Sequence, residues 1–143
     1  YWKTIFPDNP YFVREQDADG PNALLNYGYA ILRAVVARAL VGSGLLPTLG
    51  IHHHNRYNAY CLADDIMEPY RPYVDKLVTE LLDEDATGEL NATVKVRLLN
   101  IPVIEVVINE RRSPLMIAVS QTTTSVVKCF SGESRRLAYP EMQ

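Results

Sequence analysis

The residues best suited to chemistry lie together between Leu49 and Pro72, in the run LGIHHHNRYNAYCLADDIMEPYRP. All three histidines of the chain, His52, His53 and His54, are there, and the carboxylates Asp64, Asp65 and Glu68 follow. Asp64 and Glu68 are four apart and Asp65 and Glu68 three apart, spacings that place side chains on one face of a helix. Imidazoles facing a carboxylate cluster are donors for a divalent metal. His53 stands fifteen residues before Glu68, which suits a loop ligand facing the helix that follows. Catalytic zinc centres take three protein ligands. Mg²⁺ or Mn²⁺ can be held by one or two carboxylates with substrate phosphates and water. An oxygen-rich set with one histidine therefore points to phosphoryl chemistry ahead of zinc hydrolysis. Two other readings stay open. In one, the histidines form a surface turn and the carboxylates a solvated helix face of a non-catalytic helical interaction module. In the other, two of the three histidines serve a zinc hydrolase, which needs an irregular loop because neighbouring side chains diverge on a regular helix or strand.

Little else competes. There is no GxGxxG or GxxxxGK[ST] phosphate loop, and Ser43 and Ser120 lack the context of a nucleophile elbow. Cys61 and Cys129 are far apart and form no CxxC pair, so they read as reduced, packed thiols of a cytoplasmic protein. Arg14, Arg33, Arg38, Arg56 and Arg71 crowd the first half, where they could meet phosphates or simply face water. With 143 residues, 48% hydrophobic and 22% charged, the composition is that of one globular domain with a real core. A net charge of −3 argues against a generally basic nucleic-acid binder but leaves room for a local patch. No run reaches the roughly 18 apolar residues of a membrane helix, and nothing reads as a signal peptide.

The positioning elements read mainly as helices. Tyr1, Trp2, Ile5 and Phe6 have the spacing of a helix end that Pro7 and Pro10 stop. From Pro21, apolar residues recur at steps of three and four through Leu40, predicting a helix of about 20 residues closed by Gly42-Ser43-Gly44. Gly28 sits inside it, which points to close helix packing. A helix from about Asn58 to Glu68 should kink or break at 68–72 under Pro69 and Pro72, and another follows with Val74, Leu77, Val78 and Leu81 on one face. Asn91 should cap a helix over 92–100. Residues 103–108 read as a short strand or extended edge. Ser113-Pro114 reads as the cap and first residue of a helix running to about Phe130, despite the threonine run 122–124. The tail reads as a loop packed by Leu137 and Tyr139. The expected fold is all-α: a single multi-helix domain over 1–143 with one short extended segment.

Taken together these runs resemble the C-terminal helical catalytic domain of the CRISPR-associated adaptation endonuclease/integrase ("Cas one") family. The likeness rests on Asn-Ala-Leu-Leu-Asn-Tyr-Gly-Tyr at 22–29, the Leu-Gly-Ile-x-His segment at 49–53, Asp-Ile-Met-Glu-Pro-Tyr-Arg-Pro at 65–72 and Leu-Ala-Tyr-Pro at 137–140, and it spans essentially the whole chain. It implies a metal-dependent DNA endonuclease/integrase, with a type II system suggested, that joins the 3′-hydroxyls of a short foreign DNA to the CRISPR repeat by transesterification. It implies Mg²⁺ or Mn²⁺ as cofactor, and as partners DNA, a second copy in a homodimer and a small ferredoxin-like subunit, with no membrane. Of the three histidines it selects His53, three residues after Gly50. It selects Glu68 as the acid before Pro-x-Arg-Pro, with Asp65 a supporting carboxylate, and leaves Arg71, Arg56, Arg33 and Arg38 as candidates for DNA phosphate. The family's first glutamate precedes an aromatic Tyr-Trp pair, and here Tyr1-Trp2 opens the chain. Glu15 does not match that glutamate's motif. The expectation is therefore a fragment without the family's N-terminal β-rich domain, one metal ligand short and inactive alone.

Overall fold

A computed structural model of the chain describes residues 1–7, 12–14, 19–46 and 61–142. The histidine run and Arg56 lie outside the described residues. In chain order the elements are α1 (Trp2–Ile5), α2 (Pro21–Gly42), α3 (Cys61–Met67), a 3₁₀ turn (Glu68–Tyr70), α4 (Arg71–Glu84), α5 (Ala92–Leu99), a second 3₁₀ turn (Ile101–Val103), β1 (Glu105–Ile108), β2 (Arg111–Pro114), α6 (Leu115–Phe130) and β3 (Pro140–Glu141).

The fold is built around α2. Leu25, Gly28, Leu32, Val36 and Leu40 are buried at steps of three and four, and α3, α4, α5 and α6 all pack on this helix. Its 22 residues are long and apolar enough, by length and composition, to cross a membrane. Counting consecutive apolar residues did not show this. A third of its most apolar stretch, 33%, is buried inside the protein. Gly28 is what lets α4 approach: a Cβ there would lie 2.6 Å from Val74 Cγ1.

The proline-rich junction breaks as expected. Glu68, Pro69 and Tyr70 form a 3₁₀ turn, and Pro72 lies in the first turn of α4, where its missing donor costs no helical bond. Asn91 caps α5, its side chain accepting from Val94 N at 2.9 Å. In α6 the threonine run is accommodated because the hydroxyls bond backward along the helix. Thr123 and Thr124 both donate to the Ser120 carbonyl, at 3.0 and 2.8 Å.

The all-α expectation is corrected by a three-stranded antiparallel sheet, ordered β2-β1-β3, on an otherwise helical protein. Residues 105–108 are the strand that β-propensity predicts. Their partner, β2, takes in the Ser113-Pro114 pair expected to start a helix. Ser113 pairs with Val106 and Pro114 with Glu105 in the β1–β2 ladder. The turn is Asn109-Glu110, with φ of 51° and 61°, the left-handed two-residue connection whose twist matches a hairpin. Pro114 closes β2 and is also the N-cap of α6, so the helix start expected at Ser113-Pro114 falls one residue later and the pair serves the strand as well. β3 pairs Pro140 with Ile108 and Glu141 with Val107, making the end of the tail a strand. Leu137 packs on the core, whereas Tyr139 is exposed.

Two stability measurements check this architecture. Gly28→Ala gains about 1 kcal/mol of helix propensity, but it wedges α2 from α4 at a cost of about 1–3 kcal/mol. Urea unfolding should show a net loss. Asn91→Ala should cost about 1 kcal/mol, read as a lower melting temperature with the fold retained by circular dichroism.

Candidate metal and nucleic-acid site

Glu68 stands where α3 tightens into the 3₁₀ turn, with its side chain 47% exposed. Arg71 Nη1 lies 3.2 Å from Glu68 Oε1. Asp65, one turn earlier, is half-buried. The structure separates Asp64 from this pair. Asp64 is buried, and Arg33 Nε of α2 sits 2.9 Å from its Oδ1, so Asp64 serves the α2–α3 interface. Of the predicted residues, then, Asp65, Glu68 and Arg71 share one junction. Arg33 is committed to Asp64, Arg38 is exposed farther along α2, and His53 and Arg56 fall outside the described residues. Cys61 is buried and Cys129 half-buried, and neither forms a disulfide.

The turn carrying Glu68 is fixed from behind by Tyr70. Tyr70 is fully buried, and its hydroxyl is 2.7 Å from Thr122 Oγ1 of α6. Thr122 spends its own proton on the Ala138 carbonyl at 2.8 Å, so Tyr70 is the donor. Burial pushes the Tyr70 phenol up to about 12, which keeps it protonated for that role.

A polar seam that the sequence did not disclose runs beside the junction. Asn22, Asn26, Tyr29 and Arg33 recur along α2 at steps of four, three and four, and so do Asp64, Glu68, Arg71 and Asp75 on the α3–α4 side. Arg33 meets Asp64 at one end. In the middle, the guanidinium carbons of Arg71 and Arg14 lie 5.3 and 5.5 Å from the Tyr29 ring centre. Such contacts contribute about 0.5–1 kcal/mol at exposed sites and more when desolvated. Arg14 donates to Asn22 Oδ1 at 3.0 Å and also to Asn26 Oδ1. Asp75 is fully buried and accepts from the Tyr29 hydroxyl on Oδ1 and the Tyr1 hydroxyl on Oδ2. Burial raises the Asp75 carboxyl above its usual range, while the two phenols, Arg71 and Arg14 pull it back down. Burial, then the bond to Asp75, raises both phenols. Asp75 had one available signal. It falls beside Val74 on the buried side of α4 and four residues after Arg71, the spacing of an intrahelical partner.

The donors at the junction suit a hard cation. Asp65 and Glu68 offer carboxylate oxygens three residues apart on the same face, and Glu68 keeps about half of its surface open to solvent. Among the described residues no three His, Cys, Asp or Glu side chains converge into a ready metal cage. A cation held by this pair would take its other ligands from beyond the described residues, from substrate or from water.

Comparison with known proteins identifies the family. The family described as CRISPR associated protein Cas1 matches residues 3–98. A CRISPR-associated endonuclease Cas1 from Neisseria meningitidis serogroup C (strain 8013) is 35% identical over 99% of this chain and 46% of its own length. Its counterpart Cas1 2 from Pyrobaculum aerophilum is 31% identical over 91% of this chain and 44% of its own. The chain spans about half the length of these curated relatives. A solved structure of a casposase bound to integration product superposes with a TM-score of 0.77 and 22% identity, over 96% of this chain and 46% of that one. At that identity the casposase likeness shows the shared fold. A matched family region running through α2, the proline-broken junction and α5, with relatives of the same name along nearly the whole sequence, establishes that this chain belongs to the CRISPR associated protein Cas1 family.

Proposed function

We propose that the chain is the helical part of a metal-dependent DNA endonuclease/integrase of CRISPR adaptation. The observation that carries this reading is the solvent-open Glu68, three residues from Asp65 and beside Arg71, at a junction within the matched family region. In this reading Mg²⁺ or Mn²⁺ is held by His53 and Glu68, with Asp65 supporting. An ion held there would supply Lewis-acid activation of an attacking hydroxyl and countercharge to the phosphate. The reaction exchanges one phosphodiester for another. A DNA 3′-oxygen bonds to phosphorus in the repeat strand, and the P–O bond to that strand's own 3′-oxygen breaks. Arg71 and exposed Arg38 face the phosphates, with Arg56 and Arg33 as further candidates. Arg33 first balances the buried Asp64. The implied partners are DNA from the captured fragment and the repeat, a second copy of the chain and a small ferredoxin-like subunit, in the cytoplasm.

A non-catalytic helical module is the competing reading. It is favoured by the ion pairs that Asp64 and Glu68 make with Arg33 and Arg71. Metal titration separates the two. Mn²⁺ should bind this chain weakly, followed as loss of the free-ion signal in electron paramagnetic resonance. His53→Ala and Glu68→Gln should each weaken binding about tenfold or more. Unchanged affinity in both variants would mean the carboxylates serve only the fold.

Binding to phosphate is tested apart from chemistry. Arg38→Ala should weaken duplex DNA binding evenly across sequences and reduce the slope of log affinity against log salt by about 1. Fluorescence anisotropy at several salt concentrations reads both.

A further inference from the structure

Asp75 has no place in the metal set, yet its carboxylate is buried and bonded on both oxygens. It is fully buried in α4 and both of its oxygens are engaged, Oδ1 by the Tyr29 hydroxyl and Oδ2 by the Tyr1 hydroxyl. A buried carboxylate is retained only when hydrogen bonds and countercharge offset its desolvation. Here the countercharge comes from Arg71, one turn earlier on the same helix, and from Arg14. An arginine four residues from a buried aspartate ordinarily swings onto it. Arg71 does not. The two phenols occupy the Asp75 oxygens, and the Arg71 guanidinium rests over the Tyr29 ring, with Nη1 directed to Glu68 Oε1. The order of contacts is therefore Asp75 to Tyr29 hydroxyl, Tyr29 ring to Arg71, and Arg71 to Glu68.

We propose that Asp75 is a positioning residue for Glu68, acting through Tyr29 and Arg71. Asp75 fixes the Tyr29 ring as a platform, the platform holds the Arg71 fork, and the fork orients the Glu68 carboxylate before any cation arrives. The phenol on Asp75 Oδ1 has a second role: it keeps Asp75 from competing with Glu68 for Arg71. This inference rests on the reading of Glu68 as a metal ligand. It predicts that the carboxylate which sets the site's affinity is buried about two turns away on a different element.

The test uses this chain with ¹⁵N-labelled arginine. Arg71 Nε is buried and hydrogen-bonds to no described residue, so its Nε–Hε resonance reports how firmly the guanidinium is held. In the unsubstituted chain that resonance should be resolved and slow to exchange with water. Asp75→Asn should move it into the exchange regime of free arginine side chains, and Tyr29→Phe, which opens Asp75 Oδ1 to Arg71, should shift it to a new position as Arg71 leaves Glu68. Each should also weaken Mn²⁺ binding about three- to tenfold, less than the loss for a direct ligand. Their combined effect should fall short of the product of the two, because both act through one ring. Asn91→Ala is the control for a purely structural effect: it should lower the melting temperature yet leave the Arg71 resonance and Mn²⁺ affinity unchanged. If Asp75→Asn does not fold, Tyr29→Phe, which keeps the ring and removes only the hydroxyl, decides alone. An unmoved Arg71 resonance in the folded variants overturns the proposal. So does unchanged Mn²⁺ affinity where Glu68→Gln abolishes binding. If Glu68→Gln leaves Mn²⁺ affinity intact, the reading of Glu68 as a ligand fails, and the Arg71 resonance still decides whether Asp75 places the pair.

Discussion

The structure depends on burying charge between two helices without stranding it. The face of α2 that meets α3 and α4 is apolar along one stripe and polar along the next, and the polar stripe takes in Asp64 and Asp75. Each carboxylate taken from water carries a penalty of several kcal/mol unless it is matched. Arg33 matches Asp64 directly, whereas two phenols and two nearby guanidiniums share the task at Asp75. This requirement fixes the register of α2 against α4. Sliding α2 against α3 and α4 by one turn would take the Tyr29 hydroxyl from Asp75 and Arg33 from Asp64. Apolar packing alone is more forgiving, since a leucine stripe slipped by one turn still meets leucine.

That seam also determines which predicted residues are left for function. The sequence presents Asp64, Asp65 and Glu68 as one helical face, and spacing cannot rank them. Tertiary packing does so by turning Asp64 inward to Arg33 and leaving Glu68 open at the 3₁₀ turn. The same packing divides the arginines: Arg33 and Arg14 are occupied within the fold, and Arg38 remains at the surface. A pattern along a chain lists the groups available. The neighbouring helix decides which of them are already spent.

The legible parts of the fold were those that local chemistry specifies. The α2 period, the proline break at 68–72, the Asn91 cap and the strand at 105–108 all follow from residues close in sequence. The close approach at Gly28 was also legible, because a glycine inside a strong helical pattern asks for a packing reason. What was missed depends on distant partners. β2 is a strand only because β1 lies beside it, and its Ser-Pro pair carries a helix-start signal that belongs to the following element. β3 is two residues long and has no propensity to disclose. The partners of Asp75 were not legible, because Tyr1 and Tyr29 are 74 and 46 residues away.

Gly28 and Tyr29 are adjacent on α2, as Val74 and Asp75 are on α4. The first of each pair meets across the apolar stripe and the second across the polar one. The missing side chain at position 28 therefore acts as a spacer of zero thickness for a contact it does not make. The gap it closes against Val74 sets the reach of the neighbouring phenol to its carboxylate. Steric fit and charge compensation are thus geared to a single interhelical distance, and neither can drift without the other.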